Sequence, residues 1–258
     1  MQPLAALEPT VARAIRYVLT DVDDTLTEEG RLAAATFDAM ERLAAGGIKV
    51  VPVTGAPAGW CDGMARMWPV AAVIAENGGL YFLPDPLTGG TMRRHWLADA
   101  ARHDAMARLA RLGAEVAADI AGAAIAPCQP FRTTTLALTV ADSAAQSRAM
   151  ALLRAAGTRV TVNSLWVLAW FGDFDKLAMT RRFVREAWGA AIEDLRAQIF
   201  YVGDSANDEP MFGFFPQSAG VATISRWAPG MSALPRFVCQ GGGGAGFVEV
   251  ADALLAAR

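Results

Sequence analysis

The chain predicts an α/β fold: a parallel sheet flanked by helices and interrupted by an inserted α+β unit. Three observations carry this. Short apolar runs at residues 17–19, 48–53, 70–75 and 199–202 lack helical period and end in polar or glycine-containing clusters. Buried strands of a parallel sheet read this way, delivering groups to the carboxyl edge. Helical segments separate them at the spacing of crossover connections. Between about residues 83 and 172 the pattern gives way to alternating strands, then resumes.

Taken in order, the residues up to about 14 read as a loosely held extension, because Pro3 and Pro9 interrupt any helix. The run Tyr17, Val18, Leu19 then leads into Asp21, Asp23 and Asp24. On an extended chain Asp21 and Asp23 share one side and Asp24 takes the other. Neighbouring carboxylates repel unless a cation or a shared proton relieves them. The pair therefore points to a metal, a division between acid and base, or both; a solvated turn is the competing reading. Leu32, Phe37, Met40 and Leu43 space a helix over 32–45 that Gly46-Gly47 stops. The run 48–53 ends in Thr54-Gly55, and 70–75 ends in Glu76-Asn77-Gly78-Gly79.

Residues 80–83 and 91–97 flank the turn-rich PDPLTGG and predict a hairpin. A long helix is expected over about 99–120. Residues 135–140 alternate as a half-buried strand, and Ser143 with Gln146 predicts a capping box opening a helix to about 156. Two strands, 159–162 and 165–171, surround Asn163-Ser164. One solvated face per strand suits an antiparallel sheet with helices on its other side. The core halves are thus 1–82 and 173–258, and the insertion is 83–172. Lys176 then opens a helix striped by Leu177, Thr180, Val184 and Trp188, and the run 199–202 leads into Asp204, Asn207 and Asp208. Strands near 220–224 and 236–239 and a helix from Phe247 follow. Gly241, Gly243 and Gly246 in GGGGAG have the GxGxxG spacing, but no βαβ unit can follow, so a flexible surface turn is expected.

The 258 residues are 53% hydrophobic and 19% charged, with a net charge of −3. That composition supports a substantial core and offers no basic excess for a nucleic-acid backbone or an anionic membrane. An anionic ligand must then be drawn by a metal or by local cations. Cys61, Cys128 and Cys239 fit neither a disulfide framework nor a zinc site and suggest reduced thiols in a cytoplasmic protein. No signal peptide, membrane span or internal repeat is expected. Neither a heptad nor an apolar stripe points to an oligomeric state.

DVDDT followed by Leu26, Thr54-Gly55, a lysine opening a later helix and GDSANDEPMF resemble, in order and spacing, the four motifs of the haloacid dehalogenase superfamily. ENGG and an α+β insertion between the second and third motifs resemble its subclass IIB, which carries its cap there. The resemblance implies a Rossmann-like three-layer core, a cap that reads the substrate, and a magnesium-dependent phosphotransferase. Asp21 would be the nucleophile that forms an aspartyl-phosphate. Asp23 would be first the general acid and then the base. Thr54 would bond the phosphoryl oxygens, Lys176 would pair with Asp21 and the phosphoryl group, and Asn207 would orient either. Mg²⁺ would be held by Asp21, Asp204 and the backbone carbonyl of Asp23, with Asp208 holding a metal-bound water or a ligand position. Asp24, Ala56 and Leu177 depart from the family pattern, where glycine, arginine and glycine are common; these changes bear on substrate and not on chemistry.

Within the insertion, Arg132, Asn163 and Trp166 are candidate substrate-binding residues. Trp166 and Trp170 share a strand face that suits a sugar ring or, equally, packs the cap core. GAGFVEVADALL together with GDSANDEPMF resembles the sugar-phosphatase branch. The expected function is hydrolysis of a phosphate monoester of a small metabolite, a sugar phosphate foremost. A phosphomutase of the same subclass and a non-catalytic phosphometabolite-binding protein are the alternatives. The expected partner is a small phosphorylated metabolite, without nucleic acid or membrane.

Overall fold

The computed structural model describes residues 1–163 and 165–258. Ser164, expected in the turn of the insertion, lies outside the described residues. The first residues belong to the sheet and are not a loose extension. β1 (Gln2–Pro3) pairs in parallel with a strand near the far end of the chain. α1 (Pro9–Ala14) places Pro9 at its first position, where no N–H is needed. Leu4, Ala12 and Ile15 are buried in the core, and that burial holds the segment in spite of both prolines.

β2 (Tyr17–Thr20) precedes a small hairpin of β3 (Thr27–Glu28) and β4 (Arg31–Leu32), too short to show a period in the sequence. α2 (Ala34–Ala45) buries Thr36, Ala39, Met40 and Leu43. β5 (Lys49–Pro52), α3 (Ala58–Met67) and β6 (Val73–Ala75) continue the alternation. β6 meets the chain after β5 in parallel through Val53 and Ile74, then pairs antiparallel with β7 (Leu80–Asp85), which pairs with β8 (Gly90–His95). The expected hairpin therefore continues from β6 beyond residue 83.

The insertion comprises α4 (Asp99–Asp119), β9 (Ala123–Ile125), β10 (Leu136–Val140), α5 (Ser143–Ala155), β11 (Arg159–Val162) and β12 (Val167–Trp170). Its sheet runs β11-β12-β10-β9, antiparallel throughout. One face packs on α4 and α5 through Leu109, Val116, Leu138 and Leu153. The other face is not solvated as expected: Ala137, Leu168 and Trp170 are buried with Phe174 and Cys128. This face turns toward the core, where Leu168 lies over Gly55. Trp170 stacks on Phe174 and donates its ring N–H to that residue's carbonyl at 3.0 Å, so it packs the insertion. Asp142, and not Ser143, caps α5, accepting the Ala145 N–H at 2.7 Å.

α6 (Lys176–Trp188), α7 (Ile192–Leu195), β13 (Ile199–Gly203), α8 (Glu209–Phe214), β14 (Gln217–Gly220), β15 (Phe237–Val238) and α9 (Gly243–Leu255) complete the core. β14 ends where a strand was expected to begin; beyond Gly220 the chain turns into a 3-10 segment. The central sheet runs β1-β15-β14-β13-β2-β5, all parallel. Residues of α1, α2, α3 and α9 bury one face and those of α6, α7 and α8 the other, giving three layers. From β2 the chain moves to β5 on one side and later returns to β13 on the other. β2 is thus the switch point, and ligands bind beyond the carboxyl ends of strands at such a point. Asp21, Thr54 and Asp204 follow β2, β5 and β13 there.

α9 begins inside GGGGAG, so these glycines are not a surface turn. Gly243, Gly244 and Gly246 are buried in its first turn. A Cβ at Gly244 would run into Thr36 Oγ1 and lie 2.9 Å from the Leu26 carbonyl oxygen. Alanine favours a helix interior over glycine, but here that collision dominates. Gly244→Ala is expected to cost about 1–3 kcal/mol through overpacking. The check is urea unfolding, with a lowered midpoint and an unchanged slope; an unchanged midpoint would show that α9 has room to slide.

Candidate active site

Asp21 extends the β2 ladder by one residue, its N–H donating to the Val202 carbonyl at 2.9 Å. Its side chain points into a pocket where it is only 3% exposed. Lys176, also 3% exposed, is the first residue of α6. The helix start is fixed by Asp175, whose carboxylate accepts the Ala178 N–H at 2.7 Å. This fixed start carries the ammonium inward, 3.0 Å from Asp21 Oδ1 and 2.7 Å from Asp208 Oδ1.

Asp208 is fully committed. Oδ1 accepts from Lys176 and from the Tyr201 hydroxyl at 2.6 Å. Oδ2 accepts the backbone N–H groups of Asp204 at 3.0 Å and Ser205 at 3.3 Å. Its role in the geometry is that of a brace between α6, β13 and the loop after β13. Asp204 is approached by the Thr25 hydroxyl at 3.5 Å. Asp21, Asp204 and Asp208 each bring an oxygen within 4.8 Å of the others.

Three carboxyl groups against one ammonium would leave two negative charges in a buried pocket if all were ionised. Burial raises the Asp204 carboxyl to about 9, with Asp208 and Asp21 adding to the rise. Burial likewise raises Asp21 to about 7 against the pull of Lys176. Burial works to lower Lys176, but Asp208 and Asp21 outweigh it and hold the ammonium above its usual range. Such a pocket fits a divalent cation, which matches the excess charge and takes hard oxygen ligands. Asp21 and Asp204 are the acids with oxygens to offer, since both oxygens of Asp208 are already occupied.

Asp23 is partly exposed beside this cluster. Burial raises it to about 6, helped by Asp24 and opposed by Lys176 and Arg132. Thr54 is buried; its hydroxyl accepts the Ala56 N–H at 3.0 Å. Asn207 accepts from the Ser205 hydroxyl at 3.0 Å and lines, with Lys176 and Asn77, a cavity of about 340 Å³ beneath β11. From the insertion, Arg132 Nη1 donates to the Gly55 carbonyl at 2.9 Å, and Trp166 lies over its guanidinium. Asn163 turns inward differently: its Oδ1 accepts the N–H groups of Leu165 at 3.0 Å and Trp166 at 2.8 Å, which shapes the chain before β12.

Sequence reasoning assigned no role to Glu76 or Tyr201. Glu76 is buried, with a φ of 50°. Its carboxylate accepts the N–H groups of Ala58, Thr133, Thr134 and Thr135 and the hydroxyls of Thr134 and Thr135, all between 2.7 and 3.0 Å. It joins α3 of the core to the segment leading into β10. The polar cluster ending the 70–75 run was its signal. Tyr201 had none, being one apolar letter among IFYV.

No family model matches the chain. A phosphoglycolate phosphatase from Methanospirillum hungatei is 38% identical over 69 residues, 26% of this chain and 30% of that protein. A HAD/COF-like hydrolase from Plasmodium vivax superposes with a TM-score of 0.68 at 14% identity, over 97% of this chain and 100% of the other. Sucrose-phosphatase from Synechocystis sp. PCC6803, solved with sucrose and phosphate, gives 0.66 at 14% identity, over 94% and 98%. The fold is that of the haloacid dehalogenase-like hydrolases. In this HAD-like fold the four sequence motifs, far apart along the chain, meet at one edge of one sheet.

The raised acids have a consequence for stability. A carboxyl whose folded pKa exceeds its ordinary 3.8 favours the fold below that value and loses the contribution as pH rises through the folded pKa, about 9 for Asp204. Without metal, stability should therefore decline from acidic toward alkaline pH across that window. In EDTA at about pH 8, Asp204→Asn is expected to melt above the wild type, because it removes a carboxyl that must take up a proton for the chain to fold. Added Mg²⁺ should raise the wild-type melting temperature and leave the variant unmoved. A variant that melts lower in EDTA would contradict the repulsion.

Proposed function

We propose that the protein is a Mg²⁺-dependent phosphatase that hydrolyses a phosphate monoester of a small metabolite, of the sugar or polyol kind, through an aspartyl-phosphate on Asp21. The observation that carries this reading is the buried Asp21, paired through one oxygen with Lys176 and set beside a second acid, Asp23, in a different environment. The likeness to sucrose-phosphatase and the short match to a phosphoglycolate phosphatase support it.

Bound between Asp21, Asp204 and the Asp23 carbonyl, Mg²⁺ would neutralise charge on the phosphoryl oxygens. The remaining chemistry falls to the chain. Lys176 fixes one Asp21 oxygen and leaves the other to attack phosphorus. As the new O–P bond forms, the bond to the leaving oxygen breaks, and Asp23 gives that oxygen a proton. Its raised pKa, about 6, suits a group that must hold a proton and later release it near neutral pH. In the second half Asp23, now ionised, takes a proton from the water that attacks the aspartyl-phosphate. Phosphate leaves, and Asp21 and the Asp23 proton are restored. Lys176 and Thr54 steady the phosphoryl group through both halves, and Asn207 orients it. The insertion, folded against Gly55, shields the first attack from bulk solvent.

Asp24 has a φ of 57°, a left-handed conformation that glycine adopts freely. It lines, with Glu28 and Glu29, a cavity on the outer side of Asp204 that Asp21 and Lys176 do not line. Asp24→Gly is therefore expected to keep turnover of an aryl phosphate within a few-fold of wild type. Asp21→Asn should abolish Mg²⁺-dependent turnover of the same compound while the melting transition is retained. Unchanged turnover in Asp21→Asn, or a comparable collapse in Asp24→Gly, would sink this division of roles.

A further inference from the structure

Arg132 is 5% exposed and precedes the Thr133–Thr135 segment that Glu76 holds. None of the ion pairs among the described residues includes it. Nη1 is satisfied twice, by the Gly55 carbonyl at 2.9 Å and by Thr135 Oγ1 at 2.9 Å. Nε and Nη2 are buried and have no partner among the described residues. These two nitrogens form one edge of the guanidinium. Their parallel N–H groups match the two coplanar oxygens of a carboxylate.

A buried cation with an idle edge is costly, and packing alone does not require it. Its position gives the edge a use. Gly55 follows Thr54 directly, and the charge of Arg132 reaches Asp23, the group that would protonate the leaving oxygen. Both nitrogens are closed to solvent, so an acid is admitted only when a side chain shifts. The partly exposed Trp166, whose ring centre is 5.1 Å from the guanidinium carbon, is placed to do so. Trp60, itself exposed, stands beside it with ring centres 6.1 Å apart.

We propose that Arg132 reads a carboxylate on the leaving group, so that the substrate is the phosphate ester of a hydroxy acid or sugar acid and not of a neutral sugar. This rests on the phosphatase reading and, within it, puts an acid in place of the neutral sugar or polyol. Glu76 acts behind it as a positioning residue, through Thr135.

The test is phosphate release with Mg²⁺ from matched pairs that differ only in carboxylate against alcohol. The pairs are 2-phosphoglycolate with 2-hydroxyethyl phosphate, 3-phosphoglycerate with glycerol 3-phosphate, and 6-phosphogluconate with sorbitol 6-phosphate. In at least one pair the acid should exceed the neutral member by roughly 100-fold in kcat/KM. Arg132→Met should bring that ratio close to unity, mainly through KM. Arg132→Lys, which keeps the charge and loses the fork, should fall between, and it carries the test if the methionine variant does not fold. Melting shifts of the inactive Asp21→Asn protein with each compound should rank acid above neutral without any turnover. A wild-type ratio near unity in all three pairs overturns the proposal. So does an equal loss on both members in Arg132→Met. A preference for fructose 1,6-bisphosphate over fructose 6-phosphate with none for the acids would assign the edge to a second phosphate and overturn it too. Absence of Mg²⁺-dependent release from an aryl phosphate by the wild type would instead remove the phosphatase reading beneath it.

Discussion

One ammonium shared between two carboxylates at the end of a parallel sheet sets the terms for the whole molecule. Lys176 touches Asp21 and Asp208 at hydrogen-bond distance, and all three are buried. Removing these charges from water costs several kcal/mol each unless their partners are held in good geometry. The fold supplies that geometry from three directions. β2 delivers Asp21, a capped α6 delivers Lys176, and the loop after β13 delivers Asp204 and Asp208. Tyr201 and two backbone N–H groups finish the bonding of Asp208. Rigidity here follows from satisfaction: Asp208 has no oxygen left with which to move. What stays unsatisfied is the excess negative charge of Asp21 and Asp204, and that excess is what invites a cation.

A second constraint, at Glu76, ties the insertion to this site. Six donors converge on one buried carboxylate, four of them backbone N–H groups. Hydrogen bonds to a charged acceptor are about twice as strong as neutral ones. The strained φ of 50° at Glu76 and 55° at Asn77 is held in place by this convergence. The same turn presents Asn77 to the cavity above Lys176 and sets Thr135, which in turn holds Arg132. The cavity wall beside Lys176 and the idle edge of Arg132 are therefore placed by one shared turn.

Charge and function connect through these two clusters. The net charge of −3 gives no general attraction for a phosphorylated ligand. Positive charge at the site is instead concentrated in Lys176 and Arg132, both buried. Arg154 and Arg159 add to it on the wall of the cavity under β11. A site built this way discriminates by where its positive groups stand, since an unpaired buried donor penalises a ligand that cannot reach it.

Much of this was legible in the chain. Apolar runs ending in polar or glycine-containing clusters marked β2, β5, β6 and β13, because a strand buried on both faces must be apolar and must shed its polar groups at its end. The order of four motifs carried the family resemblance, and an insertion of alternating strands was visible by its period. Local reasoning failed where long-range packing decides. Residues 1–14 looked loose because their prolines are local, while the burial of Leu4 and Ile15 is not. GGGGAG looked flexible because glycine's freedom is local, while the close approach of α2 to Gly244 is tertiary. Ser143 looked like a cap, yet it is the first helical residue, and Asp142 before it accepts the Ala145 N–H. The sequence by itself determined which chemical groups stand at strand ends and therefore what chemistry is affordable there. Only the tertiary structure decided which of them touch. It set Asp208 as a brace, Glu76 as the tie to the insertion and Arg132 with one edge idle, because those contacts join residues that no local spacing relates.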